Sequence, residues 1–133
     1  MSKYIYPAVF QKEDDCILVN FPDIKNCFTD GEDLADAMDA ASDVLGTMIY
    51  GLEESGDSIP PASDIKDIVV QNENSFVSLV ACDTLEYRKL NDHRAIKKTL
   101  TLPSWLNTIA EKNNINFSAV LQAALIEKLG LQP

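Results

Sequence analysis

The stretch Lys97-Lys98-Thr99-Leu100-Thr101-Leu102-Pro103 decides how the carboxy-terminal part of this chain is interpreted. Its residues alternate in character, and a β-strand places alternate side chains on opposite faces. The two faces carry Lys97, Thr99 and Thr101 on one side, and Ile96, Leu100 and Leu102 on the other. The polar face offers ammonium and hydroxyl groups, which can bind base edges in a DNA major groove. Because one short strand cannot bury its apolar face alone, we expect it to pair with the same strand of a second chain.

Two helix patterns follow this stretch. The first spans Ser104–Asn113 and the second spans Phe117–Leu129, each with an apolar stripe at helical spacing. Asn116 is a suitable N-cap for the second helix, and Gly130 is a suitable end for it. We therefore predict a strand at Arg94–Leu102 followed by two helices.

The pattern upstream is that of an αβ domain. A helix from about Glu32 to Glu54 is indicated by apolar residues spaced three and four apart, with Asp30 or Asp33 as its cap. The segment Ile65–Val70 is expected to be extended. The predicted strands are Tyr4–Phe10, Cys16–Phe21, Ile24–Thr29 and Phe76–Ala81.

The charge distribution divides the chain in two. Residues 1–87 contain 4 Lys and 18 Asp+Glu, a net charge of −14, whereas residues 88–133 contain 7 Lys+Arg and 3 Asp+Glu, a net charge of +4. The acidic part should attract a basic partner, and the basic part can lie beside phosphates. Because residues 84–91 are polar and lack periodicity, we predict domains at 1–83 and 92–133, joined by a linker at 84–91.

The cysteines and the apolar runs bear on the compartment. Cys16, Cys27 and Cys82 show neither close pairing nor metal-ligand spacing, so they are interpreted as buried thiols in a reducing compartment. No apolar run approaches the length of a membrane span, and no secretory signal pattern is present at the start. We expect a cytoplasmic protein that needs no membrane, no metal and no cofactor.

The carboxy-terminal pattern resembles the ribbon-helix-helix DNA-binding family over about Arg94 to Gly130. It has the short basic strand with alternating threonines, a proline-started helix, a turn and a second helix. In that family two chains pair their strands, and the outward residues enter the major groove. The start of the second helix anchors a phosphate there. The DNA contacts that this resemblance implies are Lys97, Thr99 and Thr101 on the ribbon, and Asn116, Phe117 and Ser118 at the helix start.

Two basic residues complete the expected DNA surface. Lys98 falls on the apolar register, so either it reaches outward at the end of the ribbon or the register is shifted and it joins the DNA face. Arg94 belongs to a basic cluster that would supply salt-sensitive attraction and that comprises Arg88, Lys89, Arg94, Lys97 and Lys98. The alternative interpretation is that threonine simply favours strands and that lysine protects an exposed edge.

The amino-terminal part has a resemblance of its own. The motifs that carry it are Tyr6-Pro7-Ala8-Val9-Phe10, Val19-Asn20-Phe21-Pro22-Asp23-Ile24, Cys27-Phe28-Thr29-Asp30-Gly31, Ala35-Asp36-Ala37 and Ile59-Pro60-Pro61. In this order they resemble the HicB antitoxin domain. The resemblance implies an α+β fold with a reduced ribonuclease H-like αβ domain that masks HicA, a small basic toxin that cuts messenger RNA. The tail is implied to bind the operator of the toxin–antitoxin operon and to repress it.

The expected toxin contacts lie mainly on one helix face. Its acidic residues are spaced by 4, 3 and 4, and such like-charge pairs repel by about 0.2–0.5 kcal/mol each. The face is either a solvated surface or a surface that meets a basic toxin. The expected contacts are Glu32, Asp36, Asp39 and Asp43 on that face, together with Phe21 and Asp23 of the Phe-Pro-Asp element.

Two other functions compete with this one. The first is a stand-alone ribbon-helix-helix repressor whose acidic domain senses a ligand or oligomerises. The second, a metal-dependent nuclease, is disfavoured because Tyr4–Phe10 contains no Asp or Glu for a two-metal site. His93 is the only histidine, so no catalytic set is predicted. We expect a non-enzymatic homodimer joined by its ribbon, and a tetramer if the amino-terminal domains also pair.

Overall fold

The computed structural model describes residues 2–70 and 72–132. The chain divides into two compact units, residues 1–94 and residues 95–133. The elements of the first unit are β1 (Lys3–Lys12), β2 (Ile17–Asn20), β3 (Phe28–Gly31), α1 (Leu34–Ser55), a 3₁₀ turn (Ile65–Asp67), β4 (Ser75–Asp83) and α2 (Thr84–Asn91). Those of the second are α3 (Ser104–Lys112) and α4 (Phe117–Leu129). The chain is therefore of the mixed α+β class, as the sequence predicts.

One antiparallel sheet organises the first unit. Its strand order is β3-β2-β1-β4, and every neighbouring pair is antiparallel. β1 pairs with β4 over almost its full length, from Lys3 opposite Asp83 to Gln11 opposite Ser75. At the Gln11 end of this pair the rings of Phe10 and Phe76 stack with their centroids 5.2 Å apart. The strands predicted at Tyr4–Phe10, Cys16–Phe21 and Phe76–Ala81 are confirmed, and the first two pair as an antiparallel hairpin.

Helix α1 covers one face of the sheet. Its buried residues are Ala37, Ala41, Leu45, Gly46 and Ile49, and the core they join includes Tyr6, Ala8, Phe10, Val19 and Val80. The helix begins where predicted, because the Asp33 carboxylate accepts a hydrogen bond from Asp36 N at 2.8 Å. It ends at Gly56, which has a left-handed φ of 72°.

The start of α1 also depends on a glycine. A Cβ atom on Gly31 would lie 2.3 Å from Ala37 N, a distance that backbone atoms cannot accommodate. The Thr-Asp-Gly motif therefore lets β3 and the first turn of α1 lie in direct contact.

Two predicted segments differ from the structure. The strand predicted at Ile24–Thr29 is wrong in its first half, because Asn26 has a φ of 60° and Phe21 N donates to Cys27 O across a turn. The segment predicted to be extended at Ile65–Val70 begins with the 3₁₀ turn instead. In both cases local side-chain and backbone hydrogen bonds favour a turn over a ladder.

Residues 84–91 form helix α2, so the prediction of a linker there is wrong. The Asp83 carboxylate caps the helix by accepting from Leu85 N at 3.0 Å. The Tyr87 ring packs on Tyr50 of α1 at 5.1 Å, and the Arg88 guanidinium lies 4.6 Å from the same Tyr50 ring. These contacts fix a short polar helix that its own periodicity does not indicate.

The unit boundary therefore differs from the predicted charge boundary. Residues 1–94 contain 7 Lys+Arg and 19 Asp+Glu, a net charge of −12. Residues 95–133 contain 4 Lys and 2 Asp+Glu, a net charge of +2. Three residues of the predicted basic cluster, Arg88, Lys89 and Arg94, belong to the acidic unit.

In the second unit the two helices match their predictions closely. The Asn116 side chain caps α4 by accepting from Ala119 N at 3.1 Å, and Gly130 ends it with a φ of 67°. Residues 92–103 form no hydrogen-bonded strand within this single chain. The pairing of this stretch with a second copy stays a prediction.

The three cysteines are free thiols. Burial raises the pKa of Cys27 to about 11. Burial, and to a smaller extent the negative charge of Asp83, raises the pKa of Cys82 to about 11. Cys16 is only half-buried, which corrects the prediction of a buried side chain. Among the described helices, none is long and apolar enough to cross a membrane.

Candidate functional site

The second unit exposes its apolar side chains in the single chain. None of the described residues 95–132 is buried. Leu100 is 55% exposed, Trp105 66% and Ile109 52%. A small unit that exposes this many apolar side chains is typical of a surface that forms an interface with another chain.

A cavity of about 440 Å³ lies between the stretch before α3 and helix α4. Leu100 and Leu102 line it from one side, and Phe117 and Leu121 line it from the other. Lys98 lines the same cavity, so in the single chain it shares a side with the two leucines rather than with the threonines. Ser118, predicted to anchor a phosphate, also lines this cavity.

The other side of the stretch carries the predicted base-reading residues. Lys97, Thr99 and Thr101 are exposed, and none of them lines the cavity. At the start of α4, Asn116 uses its side-chain oxygen for the cap. The first backbone N–H groups of a helix have no acceptor within it, so those of Phe117 and Ser118 are the groups suited to an anion.

Arg94 lies outside this unit and is already paired. Its Nε donates to Asp92 Oδ1 at 2.8 Å, and its Nη2 donates to Asp92 Oδ2 at 2.8 Å. These hydrogen bonds hold the pKa of Asp92 well below its ordinary value. Contact between Arg94 and DNA would have to replace this bidentate pair.

The acidic face of α1 is exposed, but its members differ in their contacts. Asp36 Oδ2 accepts from Glu32 N at 2.9 Å, so Asp36 helps to fix the start of the helix. The side chains of Asp39 and Asp43 are exposed one turn apart. Within the described part of the chain no group hydrogen-bonds either carboxylate.

The two residues predicted from the Phe-Pro-Asp element have internal roles. Phe21 is 1% exposed and belongs to the core, so the prediction that its side chain contacts a toxin is wrong for this conformation. Asp23 accepts from Ser63 N at 2.8 Å and from Ser63 Oγ at 2.5 Å. It therefore joins the segment that follows α1 to the loop between β2 and β3.

A groove of about 320 Å³ lies between α1 and α2. Asp39 and Asp43 line it on the α1 side. Glu86, Tyr87 and Leu90 line it on the α2 side. The α2 half of the groove is not predicted from the sequence, because residues 84–91 are predicted to form a linker. The spacing of Asp83 and Glu86, an acidic N-cap with Glu three residues later, is the signal that indicates a helix start there.

Glu53 of α1 holds α2 in place. Glu53 Oε2 accepts from Tyr4 Oη at 2.8 Å and from Thr84 Oγ1 at 3.1 Å, and Glu53 Oε1 accepts from Arg88 Nη2 at 3.1 Å. Arg88 also pairs with Glu54. Burial acts to raise the pKa of Glu53, but the hydrogen bonds from Tyr4, Arg88 and Thr84 outweigh it and lower the pKa.

No three His, Cys, Asp or Glu side chains among residues 2–70 and 72–132 are arranged to hold a metal ion. The first unit carries an acidic groove, and the second carries an apolar surface with a net positive charge.

Comparison with known proteins gives a consistent result. Residues 6–124 match the family model described as HicB_like antitoxin of bacterial toxin-antitoxin system. An uncharacterized 14.9 kDa protein from the rep-hol intergenic region of Haemophilus phage HP1 (strain HP1c1) is 28% identical over 104 residues. That match covers 77% of this chain and 75% of the phage protein.

Solved structures of similar fold include members of toxin–antitoxin complexes. A chain of the toxin–antitoxin complex from Streptococcus pneumoniae has 32% identity and a TM-score of 0.60, covering 95% of this chain and 99% of that one. A chain of the HicA3 and HicB3 toxin–antitoxin complex has 29% identity and a TM-score of 0.51, covering 60% and 99%. The Burkholderia pseudomallei antitoxin HicB, at 20% identity, 95% and 98% coverage and a TM-score of 0.54, shares the fold. The family match spans both units of this chain, which therefore belongs to the HicB-like antitoxins of bacterial toxin–antitoxin systems.

Proposed function

We propose that this chain binds and neutralises a HicA-like, messenger-RNA-cleaving toxin and represses its own operon by binding operator DNA. The division of charge and of core between the two units supports this function. The first unit has a complete core and a net charge of −12, which suits a basic protein partner. The second has a net charge of +2 and an exposed apolar face, which suits self-association beside DNA.

For the second unit the observation that carries the proposal is the pair of distinct sides on the stretch before α3. Leu100 and Leu102 line the cavity with α4, while Thr99 and Thr101 do not. A ribbon-helix-helix dimer needs this arrangement, since its apolar side must enter a shared core and its polar side must face the major groove. We infer that two copies pair through residues 94–102 and that a two-fold operator with paired half-sites is bound.

For the first unit the support comes from relatives found in toxin–antitoxin complexes and from the acidic surface of α1. We infer that residues 1–94 form a reduced ribonuclease H-like domain, with three antiparallel strands followed by a helix across the sheet. Its role is to cover the toxin rather than to cleave RNA. The predicted toxin-binding domain at 1–83 is thus extended to include α2.

The DNA-binding part is tested by replacing Lys97, Thr99 and Thr101 with Ala in one variant. A gel-shift assay with DNA from upstream of the operon should show loss of the specific complex. Each lost base contact removes about 1–3 kcal/mol of the free energy that distinguishes the operator from other DNA sequences. Lys112→Ala, an exposed lysine at the end of α3, is the control and should retain the complex. Unchanged specific binding by the triple variant would refute the proposed DNA surface.

The toxin-binding part is tested with the full chain and the toxin encoded beside it. The two should co-purify, and the antitoxin should suppress cleavage of RNA by the toxin. The triple variant should suppress cleavage as well as the wild type does, because the proposed DNA and toxin surfaces lie on different units. A folded chain that leaves cleavage unaffected would refute the neutralisation.

A further inference from the structure

We propose that the groove between α1 and α2 is the surface that receives a positively charged polypeptide segment. Its rim carries the carboxylates of Asp39 and Asp43 on one side and of Asp83 and Glu86 on the other, and Tyr87 and Leu90 provide apolar surface. This inference rests on the proposed function, in which the segment belongs to the toxin. It differs from the predicted acidic face because half of the groove lies on α2.

The apolar part of the groove is exposed in the free chain. Leu90 is 72% exposed, and Tyr87, which packs on Tyr50, is half-buried. A leucine this exposed between acidic helices gains burial when a partner side chain covers it. The groove therefore offers both an apolar contact and charge, the combination that grooves use to receive one face of an amphipathic helix.

The charge on the rim selects a basic occupant. Asp39 and Asp43 lie one helical turn apart, so a single lysine or arginine side chain can lie between them. Neither carboxylate is hydrogen-bonded within the part of the chain that the structure describes, so both are available to an incoming cation. Glu86 pairs with Lys89 at 3.2 Å, and Asp83 caps α2, so the α1 side of the rim is the more available one.

The same features exclude other macromolecules from this groove. Phosphates of nucleic acid would meet four carboxylates, and a second copy of this acidic unit, with a net charge of −12, would meet like charge. A basic polypeptide is the occupant that both the charge and the apolar surface fit.

The groove also depends on the network that docks α2. Glu53 receives hydrogen bonds from Thr84 and Arg88, so the start of α2 is fixed against α1 before any partner arrives. A rigid groove avoids part of the ordering cost of binding. Substitutions on the rim should therefore change binding without changing the fold, since Asp39, Asp43 and Leu90 are exposed.

The experiment measures the dissociation constant of full-length protein for the purified toxin of the same operon. The test variant is Asp39→Lys with Asp43→Lys, and a second variant, Asp39→Asn with Asp43→Asn, keeps the shape of both side chains. The matched control is Asp14→Lys with Glu73→Lys, which makes the same change in net charge. Asp14 and Glu73 are exposed and lie near the Ser75 end of β4, whereas the groove lies at its Asp83 end.

The groove variant should weaken binding by about tenfold or more, because it places like charge against the partner. The asparagine variant should weaken it less, and the control by less than about threefold, because only long-range attraction is reduced there. Leu90→Ala should accelerate dissociation through lost apolar contact. Equal weakening by the groove and control pairs would overturn the groove assignment while the toxin-binding function stands. If wild-type protein does not bind the toxin, both the function and the groove assignment fail.

Discussion

The two units of this protein bury their apolar residues to very different extents. In the first, Phe10, Leu45 and Ile49 are fully buried between sheet and helix. In the second, every described residue is exposed or half-buried, although α3 and α4 also carry many apolar residues. The first unit therefore has a complete core as one chain, whereas the second exposes apolar residues that we propose a second copy covers.

The largest effect is expected from a truncation in the complete core. Phe10→Ala should lower the free energy of unfolding of the first unit by about 3–5 kcal/mol, because it leaves a cavity beside Phe76. Denaturant unfolding followed by far-ultraviolet circular dichroism measures this loss. The midpoint for this unit should not depend on protein concentration, and a strong dependence would contradict the view that the unit is complete alone.

The next effect concerns the core that we propose two copies share. Leu100→Asp should abolish the dimer and specific DNA binding, because a buried carboxylate would face the apolar cavity from both copies. Lys112→Asp, on the exposed end of α3, lowers the net charge by two rather than by one and serves as the control for charge alone. Sedimentation of both variants distinguishes them, and a dimeric Leu100→Asp protein would show that the cavity is not the interface.

A third effect is a pH dependence that belongs to the first unit alone. The pKa of Glu53 is lowered in the folded chain from its ordinary value, so its stabilising contribution is fully present above that ordinary value. The contribution is lost as the pH falls through the folded pKa, because protonated Glu53 no longer holds Arg88 as a charged partner.

Glu53→Gln should therefore flatten the fall in stability of the first unit below about pH 4.5. Thermal unfolding at a series of pH values measures this, with Glu73→Gln, an exposed residue, as the control. An unchanged slope in the Glu53 variant would contradict the role assigned to this carboxylate.

The smallest effect compares the same substitution in both units. Gly56 and Gly130 end α1 and α4 with φ values of 72° and 67°, so each replacement by Ala should cost about 1 kcal/mol in backbone strain. In Gly56→Ala this cost should lower the unfolding midpoint at every protein concentration. In Gly130→Ala it should raise the concentration needed to form the dimer. Identical, concentration-independent effects would remove the distinction between the units.

Much of the fold follows from local sequence signals. The bounds of α4 follow from Asn116 and Gly130, and the start of α1 follows from Asp33 and the glycine before it. The signals succeed there because capping groups act within one turn of the chain. The strand predicted at Tyr4–Phe10 lies within β1 (Lys3–Lys12).

Other features depend on contacts between residues far apart in the sequence, so local sequence patterns could not predict them. Helix α2 is short and polar, and it is fixed by Glu53 and Tyr50, which lie more than thirty residues earlier. Phe21 is part of the Phe-Pro-Asp motif from which a toxin contact is predicted, but its side chain is buried in the core with residues of both the sheet and α1. The groove between α1 and α2 could not be predicted for the same reason, because it forms only where the two helices pack together.

The most direct test of the central claim is the mass of the full wild-type chain in solution, measured by sedimentation equilibrium across a range of concentrations. Two copies should share the core formed by residues 95–132, so we predict a species of at least twice the chain mass of 14.7 kDa at micromolar concentration. On dilution, the helices of the second unit should unfold as the dimer dissociates, while the first unit stays folded. A monomer with both units fully folded would contradict the account.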